Sequence, residues 1–133
     1  MKFKAAEERF LYENEVGTFA TIAKSGFPHA TPVSYVYHAG SVWMATDYDT
    51  AKYRNLQSND KVALVIYAGY DANHGIVIQG LARIVEKGRE FREIYDIFHK
   101  RFNWVRGSAW KEGEAPFVRI DPVHKAVWGP GLE

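Results

Sequence analysis

The sequence contains no cysteine, which excludes disulfides, thiolate nucleophiles and Cys-ligated zinc or iron–sulfur centres. It also lacks a charge excess: 17 basic and 16 acidic side chains are interspersed, for a net charge of +1. No field gathers a polyanion, so nucleic acid is not an expected partner. No apolar run approaches the length of a membrane span. The first residues, Met1 to Arg9, carry acids where a secretory signal would have an apolar core, so the expectation is a cytoplasmic protein without a membrane partner. The five histidines, His29, His38, His74, His99 and His124, show no metal-ligand spacing, and no metal is expected. Most read as surface residues, with His74 in a polar loop able to line a pocket. Phosphate-binding glycine loops, Gly-x-Ser-x-Gly elbows and dinucleotide fingerprints are missing too, which removes support for ATPase, hydrolase and Rossmann functions.

What is present is a globular composition, 47% hydrophobic and 15% aromatic over 133 residues. That length suits one domain spanning residues 1–133. Ala6, Phe10 and Leu11 recur at helical spacing between Ala5 and Asn14. β-branched and aromatic residues from Thr18 to Ala23, a turn at Gly26-Phe27-Pro28, and a run from His29 to His38 read as a hairpin. A strand over Ser41–Thr46 leads into a helix beginning near Ala51, which Asp49 or Thr50 can cap. Strands follow over Lys61–Gly69 and Ile76–Val85, the latter interrupted by Gly80. A helix then carries Phe91, Ile94, Tyr95, Phe98 and Phe102 on one stripe. Residues 104–113 read as irregular, and two short strands, Pro116–Ile120 and Lys125–Trp128, close the chain. The expected fold is mainly β: an antiparallel barrel of six or seven strands with a few helices at the joins.

Pro32 denies a backbone donor in mid-strand, which confines its strand to an edge, a bulge or a place where a ligand replaces a neighbour. At the strand-to-helix joint, Thr46, Thr50 and Lys52 offer hydroxyls, a cation and a helix N-terminus, the chemistry a dianionic phosphate needs. On spacing alone, however, Thr50 reads as a helix cap and Lys52 as a solvated charge. Asp47 and Asp49 would repel a phosphate unless they point away. Trp128 reads equally as a core aromatic.

Gly17-Thr18-Phe19-Ala20-Thr21-Ile22 with Gly26-Phe27-Pro28, then Thr31-Pro32-Val33, then Thr46 to Thr50 with Lys52 and Asn55-Leu56, and finally Gln79-Gly80-Leu81-Ala82 stand in a characteristic order. Together they resemble the pyridoxamine 5'-phosphate oxidase-related, FMN-binding split-barrel family, and the likeness runs from about Val16 to Gly129. The resemblance implies that the backbone of Thr31, Pro32, Val33 and Ser34 reads the pyrimidine edge of a flavin. It places Ala45, Thr46, Thr50, Ala51 and Lys52 around the flavin phosphate. Ala126-Val127-Trp128-Gly129 is similar to a segment whose Trp approaches the flavin in the dimer. Two arginines of the family pattern stand here as Thr31 and Ala51, with Arg54 as the nearest substitute.

A flavin supplies hydride chemistry by itself, so the missing catalytic motifs do not exclude an enzyme. The resemblance implies an FMN-binding oxidoreductase acting on a small molecule, built as a homodimer with flavin at the subunit interface. No catalytic residue is identified. The Arg-x-His segment with which true pyridoxamine phosphate oxidases grip substrate does not follow Pro130-Gly131-Leu132-Glu133, so vitamin B6 is not the expected substrate. The alternatives are a deazaflavin-dependent reductase of the same fold, a non-catalytic flavin- or haem-binding protein, and a barrel domain without cofactor.

Overall fold

The computed structural model describes residues 1–132. Seven strands form one antiparallel sheet: β1 (Val16–Ile22), β2 (Pro28–Ser34), β3 (Val36–His38), β4 (Ser41–Ala45), β5 (Lys61–Ala68), β6 (His74–Val85) and β7 (Phe117–Trp128). Their order across the sheet is β2-β1-β5-β6-β7-β4-β3. The four helices are α1 (Ala5–Glu13), α2 (Ala51–Ser58), α3 (Arg89–Arg101) and α4 (Asn103–Gly107). The fold is therefore the mainly β split-barrel type expected from the sequence.

The run expected as one strand from His29 to His38 is two. β2 pairs with β1 and β3 pairs with β4, so the two edges of the sheet are consecutive in the chain and separated by Tyr35 alone. Tyr35 donates its backbone N–H to the Glu15 carbonyl (2.9 Å) and buries its ring completely. Its hydroxyl donates to the Leu11 carbonyl of α1 (2.6 Å). One residue thus carries the chain from one sheet edge to the other, and the sheet has to curl to allow it.

The two strands expected near the C-terminus are one, β7, running through Pro122. Pro122 pairs with Gly80 where the register of β6 and β7 shifts, the bulge at which a strand tolerates a missing donor. Gly80 is required there, since a Cβ would stand 2.5 Å from the Asp121 carbonyl oxygen. The region expected to be irregular holds the short helix α4.

Side-chain alternation sorts the sheet into two cores. Phe19, Val33, Val42, Met44, Leu64, Ile66, Ile76, Ile78, Val118 and Ile120 fill the barrel with Phe10 and Leu11 of α1. On the opposite face of β3, β4 and β7, Val36, Trp43 and Phe117 pack beneath Phe91, Ile94, Phe98 and Phe102 on the apolar stripe of α3. β3 and β4 are therefore covered on both faces. The outer face of β1, β5 and β6 is not: two cross-strand rows, Ala20-Ala63-Gln79-His124 and Thr18-Val65-Val77-Ala126, carry no charged side chain.

α1 is fastened by charge as well as by packing. Glu7 is 2% exposed, accepts the Lys4 N–H (2.9 Å) and pairs with Lys125 of β7. Burial raises its pKa, but the hydrogen bonds from Lys125 and Lys4 and their charges outweigh it, so the carboxyl is held below its ordinary value. A carboxylate depressed in the folded state stabilises the protein above its ordinary range, and that stability is lost as the pH falls through the lowered value. Glu7→Gln is expected to cost about 3 kcal/mol at pH 7, and the gap from wild type should close at a pH below the lowered value. Denaturant titrations at both pH values measure this; an equal gap at each would show that the charge has no part in it.

Candidate functional site

The helix start that the sequence singles out is built around Thr50. Its backbone N–H donates to the Asp47 carbonyl (3.4 Å) and its own carbonyl accepts Arg54 N–H (3.2 Å). Its hydroxyl accepts Tyr53 N–H (3.2 Å) and donates to the Asp47 carbonyl (2.9 Å). Thr46, buried at the end of β4, stands 2.8 Å away, hydroxyl to hydroxyl. Thr50 is thus an N-cap whose bonding capacity is used internally, and the open donors of the first turn are the amides of Ala51 and Lys52. Tyr48 steadies the preceding turn: its hydroxyl donates to Glu86 (2.7 Å) and its ring meets Tyr53 edge-on at 5.0 Å. Burial, the bond to Glu86 and that carboxylate's charge push the phenol up to about 12.

Two polar contacts dock α2 against the sheet. The Asn55 side chain is buried and donates to Thr21 of β1 (2.9 Å). Lys52 Nζ donates to the Thr31 hydroxyl of β2 (3.2 Å). The structure thereby gathers Thr31, Thr46, Thr50, Ala51 and Lys52 at one helix terminus beside the edge strand β2. Asp47 and Asp49 are both exposed. The Arg54 side chain donates to the Asp49 carbonyl (3.0 Å), and its backbone N–H is the one that Thr50 accepts.

Along β2, Thr31 lies opposite buried Phe19 and Val33 opposite Gly17, whereas Pro32 faces with Thr18 and Ser34 with Val16. Thr31 and Val33 therefore point inward and Pro32 and Ser34 outward. Val33 is part of the barrel core, so only its backbone is open to a ligand. β2 has one strand neighbour, and the position of Pro32 at a sheet edge agrees with its chemistry. Ala45 pairs with Phe117 and packs against the aromatic core.

Trp128 stands apart from the others. It pairs with Gly75, lies over that glycine so closely that a Cβ would fall 2.5 Å from the ring, and donates its indole N–H to the Ala72 carbonyl (2.9 Å). Along β7 it is eleven residues beyond Phe117, the partner of Ala45, or roughly 35 Å of extended chain. The corner and the indole of one chain do not meet.

Sequence reasoning overlooked three participants. Asn55 enters the sequence reading only as part of the resemblance, because its partner is 34 positions away. His29, expected at the surface, is half-buried and faces inward two residues from Thr31, and its Nδ1 is buried with no protein partner. The third is a cleft of about 420 Å³ bounded by Thr46, Asp47, Trp104, Trp110 and Glu114. His74 does line a pocket, a small one against α1 and residues 130–132.

The donor set fits a phosphorylated planar ring. An unspent imidazole nitrogen, a lysine, a threonine hydroxyl and two free helix amides border an edge strand that has main-chain groups to offer. Among the described residues no helix is long and apolar enough to cross a membrane.

If Asn55 is what holds α2 in place, Asn55→Ala and Thr21→Val should each destabilise the fold by about 1–2 kcal/mol, and the double variant by clearly less than the sum. Chemical denaturation of the four proteins gives the coupling, and strict additivity would remove this bond from the account.

The pyridoxamine 5'-phosphate oxidase family model matches residues 3–126. No curated protein matches the chain. Among solved structures, the haem storage protein HutZ from Vibrio cholerae superposes with a TM-score of 0.81 at 16% identity, covering 97% of this chain and 98% of the other. A pyridoxamine 5'-phosphate oxidase-like protein from Listeria innocua gives 0.73 at 19% identity, covering 93% and 98%. An F420 reductase gives 0.71 at 17% identity, covering 92% and 98%. These likenesses establish a shared fold, and the family match over nearly all of the chain carries the assignment: the protein belongs to the pyridoxamine 5'-phosphate oxidase family.

Proposed function

We propose that the protein is a homodimeric, FMN-binding oxidoreductase whose flavin phosphate is held at the N-terminus of α2. The carrying observation is the Lys52–Thr31 contact (3.2 Å), which puts a cation and a hydroxyl between the helix start and the edge strand. Lys52 neutralises part of the phosphate charge, the amides of Ala51 and Lys52 donate to its oxygens, and Thr46 and Thr50 fix the turn that aims them. Main-chain groups of Thr31 to Ser34 read the ring edge. Bound flavin supplies reversible hydride transfer; the chain supplies position and shelter. A deazaflavin fits the same donor set, and the F420 reductase of this fold favours it as the second reading. The haem storage protein gives haem a place among the outcomes.

The dimer is argued from the uncovered face. Val16, Tyr67, Leu81 and Val123 are each more than 40% exposed, and a groove of about 500 Å³ runs past Ala20, Ala63, Leu81 and Val123. An apolar surface of this kind, with Lys61 as the charge in its groove, needs a cover. A second copy is also what brings Trp128 to the corner, since it does not reach the corner within its own chain.

The absorption spectrum of the purified protein distinguishes flavin, deazaflavin and haem directly. Lys52→Ala should weaken FMN binding by about 1.5–3 kcal/mol, as loss of a charge-assisted bond does; an unchanged dissociation constant at low salt removes Lys52 from the site. Ala63→Glu, in the middle of the outer face, should yield monomers in sedimentation experiments with FMN affinity reduced at least about tenfold. A monomeric wild type would reject the dimer.

A further inference from the structure

Beside the flavin corner, and sharing Ala45 and Thr46 with the residues expected around the phosphate, lies the cleft between the end of β4 and the segment after α4. Its wall is a pair of indoles, Trp104 and Trp110, with ring planes 4° apart and centroids separated by 6.0 Å. Trp110 is fixed from behind by Tyr95 at 5.0 Å, edge-on, and by Phe117 at 5.7 Å. Tyr95 also accepts the backbone N–H of Trp110 on its hydroxyl (3.3 Å). Trp104 stacks on Phe102 at 5.8 Å but remains 45% exposed, so a rigid ring presents an open surface. The charged side chains bordering the cleft are Asp47 and Glu114, both acidic. Glu114 is oriented by accepting Lys111 N–H (2.7 Å), and Asp47 has no salt-bridge partner among the described residues. Trp110 Nε1 is buried without a partner.

Electron-rich indole faces and two carboxylates, with no lysine or arginine among them, select positive charge and reject anions. From this geometry we infer that the cleft binds an organic ammonium cation, with the alkylated nitrogen against the indoles and its charge answered by Asp47 and Glu114. A bare metal ion is disfavoured, because the two carboxylates are not joined by a third metal-ligating side chain among the described residues. The inference goes beyond the flavin assignment and does not require it, since the phosphate corner uses the opposite charge and other charged residues.

Calorimetric titration of the purified protein with choline tests it, against the uncharged carbon isostere 3,3-dimethylbutan-1-ol. Choline should saturate with a dissociation constant on the order of 1 mM, and the isostere should bind at least about tenfold more weakly. Trp104→Ala and the pair Asp47→Asn with Glu114→Gln should each lower choline affinity at least about tenfold. Trp104→Phe, which keeps a ring on the surface, should fall between, and it reads the same contact if the alanine variant folds poorly. Lys52→Ala should leave choline binding unchanged while FMN binding falls, which separates the two sites. Equal binding of the isostere, absence of saturation below about 50 mM, or wild-type affinity in the charge-neutralised variant would each overturn the inference.

Discussion

The structure depends on one residue of chain between two sheet edges. β2 ends at Ser34 and β3 begins at Val36, yet they occupy opposite margins of a seven-stranded sheet. A sheet of that width is several times wider than one residue can span, at about 4.8 Å per strand. The margins must therefore approach each other and the sheet must wrap. Tyr35 makes this crossing rigid, with its ring in the core and its hydroxyl on α1. Wrapping in turn creates the site, because the two margins approach without pairing. The unpaired groups of β2 lie near the end of β4, where α2 begins.

α2 converts that gap into a polar corner. A helix laid on an apolar core alone could rotate about its axis, but Asn55 on Thr21 and Lys52 on Thr31 fix it at two points, on β1 and β2. The same rotation determines where the free amides of Ala51 and Lys52 point. The same hydrogen bond positions the helix and sets the candidate site, and among the described residues the Lys52 ammonium has as its partner a neutral hydroxyl rather than a carboxylate.

Much of this is legible in the sequence, for reasons that differ by element. The core strands announce themselves through alternation, as in Val62, Leu64 and Ile66 against Lys61, Ala63 and Val65, and α3 through Phe91, Ile94 and Phe98. The edge position of β2 is one of the three places that the chemistry of Pro32 leaves open. Breaks within extended runs are not legible: Tyr35 has a strand-former's side chain, and nothing local shows that its backbone turns to Glu15. Pro122 misleads in the other direction, because the bulge that accommodates it is made by Gly80 on the neighbouring strand. The corner residues are legible through the resemblance and the cap chemistry of Thr50, whereas His29 and Asn55 depend on long-range placement.

The substitution of Thr31 and Ala51 for arginines bears on how strongly the corner attracts charge. With two guanidinium groups the site would draw an anion by long-range field; with Lys52 alone, attraction is short-ranged and rests on the helix amides. Asp47 and Asp49 are exposed on the turn, and Asp47 borders the aromatic cleft. Thr46 therefore stands between Lys52, toward β2, and the carboxylates that border the cleft, toward Trp104. Such a placement orients any molecule that carries both charges. It also favours a ligand whose anionic group is compact and whose remaining bulk is neutral, since excess negative charge placed beyond Thr46 would meet the carboxylates. If the corner holds a phosphate and the cleft a cation, as proposed, the arrangement discriminates by the distribution of charge on a ligand more than by its total, an outcome that additional arginines in the corner would weaken.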